Sequence, residues 1–290
     1  MSALSNKIGK NYIFGSALIS SLVVLTIILV LLFSSSGVLQ VEWSNLWSTE
    51  WNVGQGKFGI LPMLYGTIVV TLISLVIAVP IGLIIAIFIS ERLPKRIKLV
   101  VKSLLELLAG IPSIILGLIG VAYFSVGIEH FFELSTGRTI FTAGIILSIM
   151  ILPTIITLVD DALQNIPKKY REASLGLGLY KFEVIKSLLL PIARFEIKGA
   201  ILLALGRSLG ETMAVMLVIG SLDRIPTPFY NVLNSGQTIT SKLGREVAES
   251  SFGSTHFSVL IFMGFLLMII VLILTFLGQY QYKTNERLYE

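Results

Sequence analysis

Residues 64–90 read LYGTIVVTLISLVIAVPIGLIIAIFIS, an apolar run that contains no charged side chain. A membrane-spanning helix needs about 20 apolar residues, because roughly 30 Å of hydrocarbon is crossed at 1.5 Å per residue. The run shows no alternation of apolar and polar side chains, which a barrel strand would require. This stretch therefore predicts a transmembrane α-helix.

Five further apolar runs extend this prediction to an all-α integral membrane protein with six transmembrane helices. The predicted spans are residues 13–33, 64–90, 99–127, 140–159, 199–220 and 257–277. The composition agrees, since 54% of the residues are hydrophobic, 13% are charged and the mean hydropathy is +0.88. These values exclude a water-soluble globule and a disordered chain. We interpret the first span as a retained anchor helix, because no clean signal-peptide cleavage site follows it.

The distribution of positive charge predicts the orientation of the chain. With the N-terminus in the cytoplasm, sixteen of the 22 Lys and Arg residues lie inside, five lie outside, and Arg207 lies within the fifth span. This agrees with the positive-inside rule, and an even number of spans returns the C-terminus to the cytoplasm. Topology in the lipid bilayer thus explains the net charge of +5, and no nucleic-acid partner is expected.

The third span carries a predicted break, because Gly110-Ile111-Pro112-Ser113 interrupts its apolar run. Backbone that is freed at membrane depth is tolerated where it is buried in protein or faces a wet cavity. Ser113 is therefore a candidate for the substrate pathway. A proline kink satisfied by neighbouring helices is the structural alternative.

The fifth span contains the sequence GRSLGET at residues 206–212, in which each ionised side chain costs roughly 2.5–3.5 kcal/mol to insert. Arg207 and Glu211 are four residues apart, so on one helix face each can neutralise the other. Packing alone does not repay this cost, and intramembrane charges mark transport pathways. A buried ion pair that orients a helix bundle is the alternative. We assign Arg207, Ser208, Glu211 and Thr212 to a substrate pathway.

The chemistry of this pair suits an oxyanion. A guanidinium stays charged in a low dielectric and offers a planar fork of donors to phosphate or carboxylate. A carboxylate nearby competes for the guanidinium, which lets the anion leave. It also accepts a hydrogen bond from an oxyanion that still carries a proton, as hydrogen phosphate does and sulfate does not. Phosphate is therefore the favoured substrate, with sulfate and molybdate as alternatives.

The same stretch matches the G-x-S-x-G pattern, with Ser208 in the position of a hydrolase nucleophile. An intramembrane serine hydrolase is therefore an alternative from a different class. That reaction needs a strand-turn-helix context and a nearby base, and both histidines lie in predicted outer loops. The chain has no cysteine and only two histidines, so no metal site is predicted.

The longest cytoplasmic connection, residues 160–198, predicts two short helices joined by a glycine turn. A proline at residue 167 opens the first helix, and the second is expected from about residue 180 to 190, where Pro191 ends it. Small side chains and exposed leucines on this unit favour insertion into a groove of a partner protein. An amphipathic hairpin that lies on the bilayer is the alternative.

This connection resembles the E-A-A-x3-G-x9-I-x-L-P signature of ABC importer permeases, and two positions depart from that pattern. Ser174 stands in place of an alanine and Leu188 in place of an isoleucine. The resemblance implies a coupling helix that docks on a cytoplasmic ATPase. The residues it assigns to docking are Arg171, Glu172, Ala173, Ser174 and Gly178.

Residues 109–120, AGIPSIILGLIG, and residues 205–215, LGRSLGETMAV, resemble the permease of the phosphate ABC importer (PstC type). The resemblance covers about residues 59–277 and implies a type I importer permease with alternating access. It implies as partners a second homologous permease, two ATP-binding cassette subunits and an extracytoplasmic phosphate-binding protein. The expected location is the cytoplasmic (inner) membrane of a prokaryote.

Under this interpretation the chain is a permease subunit and not an enzyme. No Gly-Lys-Ser or Gly-Lys-Thr occurs in it, so ATP and Mg are expected in the partner ATPase and no cofactor in this chain. A self-powered channel or a secondary transporter is the remaining alternative. The predicted regions are an anchor helix with an outer loop (1–58), a permease domain (59–280) and a cytoplasmic tail (281–290).

Overall fold

The computed structural model describes the backbone of residues 2–286 and the side chains of residue 10 and residues 12–278. The α-helices are α1 Ser2–Ser34, α2 Trp43–Leu46, α3 Leu61–Arg92, α4 Lys95–Ala109, α5 Ser113–Ile119, α6 Val126–Phe131, α7 Ile140–Asn165, α8 Lys168–Gly176, α9 Lys181–Val184, α10 Leu190–Ile192, α11 Arg194–Gly210, α12 Met213–Val218, α13 Ile239–Glu246 and α14 Thr255–Glu286. A π-helical segment, Gly120–Ser125, joins α5 to α6, and another, Ile185–Leu189, joins α9 to α10. Two short strands, β1 Trp51–Asn52 and β2 Lys57–Phe58, pair antiparallel in the outer loop.

Within residues 2–286, five helical segments are long and apolar enough to cross a membrane. These are Tyr12–Gln40, Leu61–Arg92, Ser113–Phe131, Ile140–Asn165 and Thr255–Gly278. They confirm the prediction of an all-helical, multi-pass membrane protein. The fifth predicted span, residues 199–220, differs from the prediction because it is not one helix.

The break in residues 199–220 lies at Glu211 and Thr212. Helix α11 ends at Gly210, Glu211 has an extended backbone (φ −70°, ψ 127°), and α12 begins at Met213. Glycine is a weak helix former, and the carboxylate of Glu211 accepts a hydrogen bond from the backbone N–H of Ala214 in the new helix (3.2 Å). The prediction of one continuous helix was therefore wrong, and this span consists of the end of α11 followed by α12.

The third predicted span begins later than expected. The predicted break at Gly110–Pro112 is confirmed, since α4 ends at Ala109 and α5 begins at Ser113. The residues before the break form the amphipathic helix α4, which lies outside the membrane-spanning segments. Its lysines Lys98 and Lys102 bind Asp160 near the end of α7. The start of the span was predicted too early, because the leucines and valines on the apolar face of α4 lengthen the apolar run in the sequence.

Helix α7 is the centre of the bundle, with 67% of its most apolar window buried. It packs in parallel against α3, because Gly144 lies against Ile73 and Gly82 lies against Ile155. A methyl group at either glycine would come within 3.0 Å of the facing isoleucine. These small residues allow the close approach of the two helices.

A second core joins the outer loop to α13 and α14. Val38, Leu46 and Phe58 of the loop are buried there with Ile239 of α13 and Val259 of α14. The loop is therefore packed onto the helical body. The domain boundaries at residues 58 and 280 stay a prediction, and residues 287–290 of the predicted tail lie outside the described residues.

Candidate substrate pathway and docking helix

Arg207 lies on an exposed face of α11, between Gly206 and Ser208. Its Nη1 donates a hydrogen bond to Oγ1 of Thr154 on α7 (3.1 Å). The residue also lines a cavity of about 750 Å³ between α11 and α14. Among the described side chains no carboxylate forms an ion pair with this guanidinium. Within this part of the chain the charge is thus not neutralised by a carboxylate.

Glu211 does not pair with Arg207, in contrast to the prediction. The helix ends between them, so their spacing of four residues no longer places them on one helix face. The Glu211 carboxylate accepts from the N–H of Ala214, and its carbonyl oxygen accepts from Oγ1 of Thr240 on α13 (2.7 Å). The carboxylate thus begins α12 and stays half-buried at the break.

Ser208 faces away from the Arg207 side of α11. It is 4% exposed, and its hydroxyl pairs with the hydroxyl of Ser74 on α3 at 2.9 Å. A serine that is held by another serine between two packed helices has no base to activate it. His256, on the outer side, bonds to Glu246 instead. Ser208 therefore joins α11 to α3, and the geometry does not support the hydrolase alternative.

Thr212 and Ser113 lie at the starts of two short parallel helices. Gly117 of α5 lies against Ala214 of α12, and a methyl group there would come within 2.9 Å of the Ala214 Cα. Because α5 and α12 run in the same direction, the first turn of α5 lies level with the break at Glu211. Ser113 and Thr212 are both half-buried. The structure thus brings Ser113 towards the broken part of the fifth span, as the pathway assignment requires.

The predicted docking helix is present as α8. Leu179 N–H donates to the Ser174 carbonyl (3.3 Å) and Gly178 N–H donates to the Leu175 carbonyl (3.0 Å), which closes the helix. This ending needs a left-handed residue, and Gly178 supplies it with φ of +83°. The expected second helix is present as α9, a π-helical segment and α10, but the predicted end at Pro191 was wrong. Pro191 lies in the first turn of α10, where its missing N–H is tolerated, and the helix continues to Ile192.

The docking candidates divide into two groups by exposure. Glu172, Ala173 and Gly178 are exposed, and next to them Leu177 is 83% exposed. Ser174 is buried, and its hydroxyl donates to the carbonyl of Tyr170, one turn earlier (2.7 Å). Arg171 turns inward to Glu91 on α3. The exposed group therefore forms the surface that a partner can reach.

Residues 78–286 match the model of a family described as "Binding-protein-dependent transport system inner membrane component". The chain belongs to this family. It is therefore a membrane component of an ABC importer and not an enzyme, and it works with an ATPase and a substrate-binding protein.

Curated relatives cover most of the chain. The permease is 34% identical to the "Probable ABC transporter permease protein YqgH" of Bacillus subtilis, over 86% of this chain and 79% of the relative. It is 34% identical to the "Phosphate transport system permease protein PstC" of Mesorhizobium japonicum, over 82% of this chain and 77% of the relative. The protein of that name from Xylella fastidiosa strain Temecula1 is 35% identical, over 83% and 79%.

Solved structures share the fold of the permease. The MetNI methionine ABC transporter in an inward-facing conformation matches with a TM-score of 0.57 and 19% identity, over 78% of this chain and 94% of that chain. A bacterial ABC transporter for import of the acidic polysaccharide alginate matches with a TM-score of 0.58 and 15% identity, over 92% and 95%. These matches confirm the type I importer architecture.

Sequence reasoning missed an ionic cluster at the cytoplasmic end of the permease. Asp160 of α7 is fully buried and binds Lys98 and Lys102 of α4, each at 2.7 Å. Lys102 also binds Asp161 (2.8 Å). Burial favours neutral Lys102, but its hydrogen bonds to Asp160 and Asp161 outweigh burial and raise the pKa of this lysine. An aspartate that follows an apolar span directly was the available signal.

A second cluster was missed on the outer side, where Lys242 of α13 is fully buried. Its ammonium group pairs with Asp223 and with Glu246 (2.6 Å) and lies 4.6 Å from the ring centre of Trp51. The sequence placed this lysine among outer-loop charges. The spacing of Lys242 and Glu246, four residues apart on a short helix, was the only signal for a local pair.

Proposed function

We propose that this permease translocates inorganic phosphate into the cell by alternating access. The proposed assembly adds a second homologous permease, two ATP-binding cassette subunits that use ATP and Mg, and an extracytoplasmic phosphate-binding protein. Its proposed location is the cytoplasmic membrane of a prokaryote. The similarity to proteins named phosphate transport system permease supports this substrate.

The observation that carries the proposal is the state of Arg207. An arginine at membrane depth is costly, and such a residue is retained where it faces a water-filled cavity or a pathway. Arg207 has one neutral partner, Thr154, and it faces the open side of α11. A guanidinium with free donors binds the oxygens of a tetrahedral anion in pairs. Arg207 is thus the proposed contact for phosphate.

Glu211 has the proposed role of selecting a protonated oxyanion. Its carboxylate lies at the break between α11 and α12, where one hydrogen bond from a backbone N–H leaves other lone pairs unused. Hydrogen phosphate can donate a hydrogen bond to such an oxygen, whereas sulfate has no O–H group to donate one. Ser113 and Thr212 line the same break, and a hydroxyl can donate to either anion.

The exposed surface of α8 has the proposed role of docking on the ATPase. Glu172 and Ala173 lie next to the exposed side chains of Leu175, Leu177 and Tyr180, which are 49%, 83% and 79% exposed. An apolar knob of this kind fits a groove in a folded partner. Closure of the ATPase pair would then move α8 and open the pathway to the other side.

The test is transport by the reconstituted assembly with either phosphate or sulfate outside. We expect phosphate to drive uptake and to stimulate ATP hydrolysis, and sulfate to do neither. Arg207→Gln is expected to lower phosphate uptake by roughly a hundredfold, since it removes hydrogen bonds from a charged donor, worth about 1.5–3 kcal/mol each. Arg224→Gln, an exposed outer-loop arginine, is the matched control and should transport normally.

Two results would contradict this proposal. Sulfate uptake equal to phosphate uptake would remove the assigned selectivity of Glu211. Near-normal uptake by Arg207→Gln in a fully assembled complex would remove Arg207 from the pathway. Expression of each variant is matched by the amount of permease that co-purifies with the ATPase.

A further inference from the structure

We infer that Arg171 is a positioning residue that ties the docking helix α8 to the paired helices α3 and α7, and so transmits the movement of α8 to the pathway. The inference rests on the proposed docking of α8 on an ATPase. It assigns Arg171 a contact within this chain in place of a contact with the ATPase.

The Arg171 guanidinium makes four hydrogen bonds to two other helical segments. Nη2 and Nε donate to Oε1 of Glu91 on α3, at 2.9 Å and 3.3 Å. Nη1 donates to the carbonyl of Ile166 (2.8 Å), and Nη2 donates also to the carbonyl of Leu163 (2.6 Å). One side chain on α8 therefore binds the cytoplasmic ends of both α3 and α7.

The partners on α7 explain why a guanidinium is suited to this place. The last carbonyl groups of a helix lack partners within the helix, and they carry the negative end of its dipole. Leu163 lies in the last turn of α7, and Ile166 follows its last residue. A planar cation with several donors can bind these carbonyls and a carboxylate at once, which a lysine cannot.

The contact is shielded from water. The side chains of Arg171 and Glu91 are 21% and 17% exposed. Within the described part of the chain, no other side chain of α8 hydrogen-bonds to α3 or α7. Arg171 is therefore the polar link from α8 to these two helices, beside the chain connection at Pro167 and the apolar core that Leu179 and Val184 share with them.

From the end of α7 the connection to the pathway is direct. Thr154, the partner of Arg207, lies twelve residues before Ile166 on the same helix, a distance of about 18 Å. Helix α7 packs tightly against α3 through Gly82 and Gly144, so the two helices move together. A rigid movement of this pair shifts Thr154 relative to α11 and changes the surroundings of Arg207.

The experiment compares Arg171→Gln and Glu91→Gln in the reconstituted assembly. Three quantities are measured: ATPase subunit recovered with the permease, ATP hydrolysis, and phosphate uptake per ATP hydrolysed. For Arg171→Gln we expect normal recovery of the ATPase and a fall of roughly tenfold or more in uptake per ATP. Glu91→Gln should show a smaller fall of about threefold, since it leaves the two carbonyl bonds of Arg171 in place.

Two controls make the result specific. Arg92→Gln removes an exposed arginine next to Glu91 and should leave all three quantities unchanged. The double variant Arg171→Gln/Glu91→Gln should transport no worse than Arg171→Gln alone, because both changes remove one shared contact. Strictly additive losses would overturn the inference.

Two other outcomes would overturn it. The first is loss of the ATPase from Arg171→Gln with an unaffected Glu91→Gln, which would assign Arg171 to docking. The second is unchanged uptake per ATP in Glu91→Gln, which decides the matter even if Arg171→Gln assembles poorly. Failure of the unmodified assembly to take up phosphate would contradict only the proposed substrate. The comparison would then use stimulation of ATP hydrolysis by the binding protein.

Discussion

Two cations within apolar surroundings show how residue-scale contacts separate a functional charge from a structural one. Lys242 is fully buried and held by two carboxylates and an aromatic ring. Arg207 is exposed on its helix, with one neutral hydroxyl as a partner. The first charge is fully compensated inside the protein. The second has no carboxylate partner among the described side chains, which is what the proposed contact with an anion requires.

Loss of the buried cation should destabilise the permease. Lys242→Met removes the cation that pairs with Asp223 and Glu246 and leaves Glu246 with His256 only, and breaking a buried pair in this way costs roughly 3–5 kcal/mol. The unfolding temperature of the purified permease in detergent measures this loss. Lys57→Met breaks an ion pair that is exposed to water and is the control. An equal effect of both changes would contradict the structural role of Lys242.

The partner of Arg207 should matter less than Arg207 itself. Thr154→Val removes one hydrogen bond from the charged guanidinium, worth about 1.5 kcal/mol at the lower end for a charged donor, and leaves the charge in place, so phosphate uptake should fall by about tenfold. Thr157→Val, a half-buried threonine one turn further along α7, is the matched control. A loss as large as that expected for Arg207→Gln would show that Thr154 contacts the substrate itself.

At the scale of elements, the functional features of this chain lie where helices stop. Helices α4 and α11 end at Ala109 and Gly210, and α5 and α12 begin four and three residues later. Helix α8 ends on the left-handed Gly178. Each end exposes backbone groups that a continuous helix would have satisfied. Glycines at or near these ends permit the conformations and the close contacts that the breaks require.

The end of α8 should depend on the backbone of Gly178. Gly178→Ala places a side chain at φ of +83°, which costs roughly 1–2 kcal/mol and disorders the turn. Recovery of the ATPase with the permease should fall. Gly176→Ala is the matched control, because both positions have open space at the Cβ but residue 176 is helical. Equal recovery for the two variants would contradict the role of the left-handed turn.

The contact between α5 and α12 should depend on Gly117. Gly117→Ala brings a methyl group within 2.9 Å of the Ala214 backbone, and overpacking of this kind costs about 1–3 kcal/mol. Since α12 begins at the Glu211 break, we expect lower phosphate uptake and a lower unfolding temperature. Gly127→Ala, in the continuation of the same span, meets open space and should change neither. Normal uptake in Gly117→Ala would show that α5 and α12 do not need this contact.

For the whole molecule, ionic contacts at the cytoplasmic end join helices that are distant in sequence. Asp160 links α7 to α4, and Arg171 links α8 to α7 and α3. The core between α3 and α7 lies directly above these contacts, towards the outer side of the predicted topology. These contacts join the cytoplasmic ends of α3, α4, α7 and α8, and they are the route by which the proposed movement of α8 would reach the proposed pathway.

The cytoplasmic end of the permease should lose stability at alkaline pH. The pKa of Lys102 is raised in the folded protein, so its stabilising contribution is complete below the unfolded pKa of about 10.4. The contribution disappears as the pH rises through the raised pKa and the lysine becomes neutral. The unfolding temperature of the wild type should therefore fall more steeply above about pH 10.5 than that of Lys102→Met. Lys95→Met, an exposed lysine on α4, should follow the wild type.

Much of the fold was predictable because lipid imposes simple rules. Apolar runs identified α3, α7 and α14 within a few residues, since no other structure satisfies the backbone in hydrocarbon. Gly110 and Pro112 predicted the break in the third span. The break at Glu211 was missed, because a single carboxylate in an apolar run does not indicate that it accepts a hydrogen bond from the first turn of a new helix.

The candidate site was predictable in its residues and not in its contacts. The cost of a charge in the membrane singled out Arg207 and Glu211. The resemblance of residues 172–191 to the importer signature singled out the docking helix. Tertiary structure separated Glu211 from Arg207, turned Ser208 towards Ser74 and turned Arg171 towards Glu91. These contacts cross between helices that are far apart in the chain.

The sequence by itself therefore determined that this protein lies in a lipid bilayer and that it is helical. It also determined which positions carry a charge in an apolar segment, where the cost of insertion indicates a function. Those properties depend on each residue and its near neighbours, because the hydrophobic effect and the cost of burying charge act locally. Only the tertiary structure decided which charges are compensated and which are left for a ligand. Those contacts form between different helices, as between Arg171 and Glu91, which are 80 residues apart in the sequence.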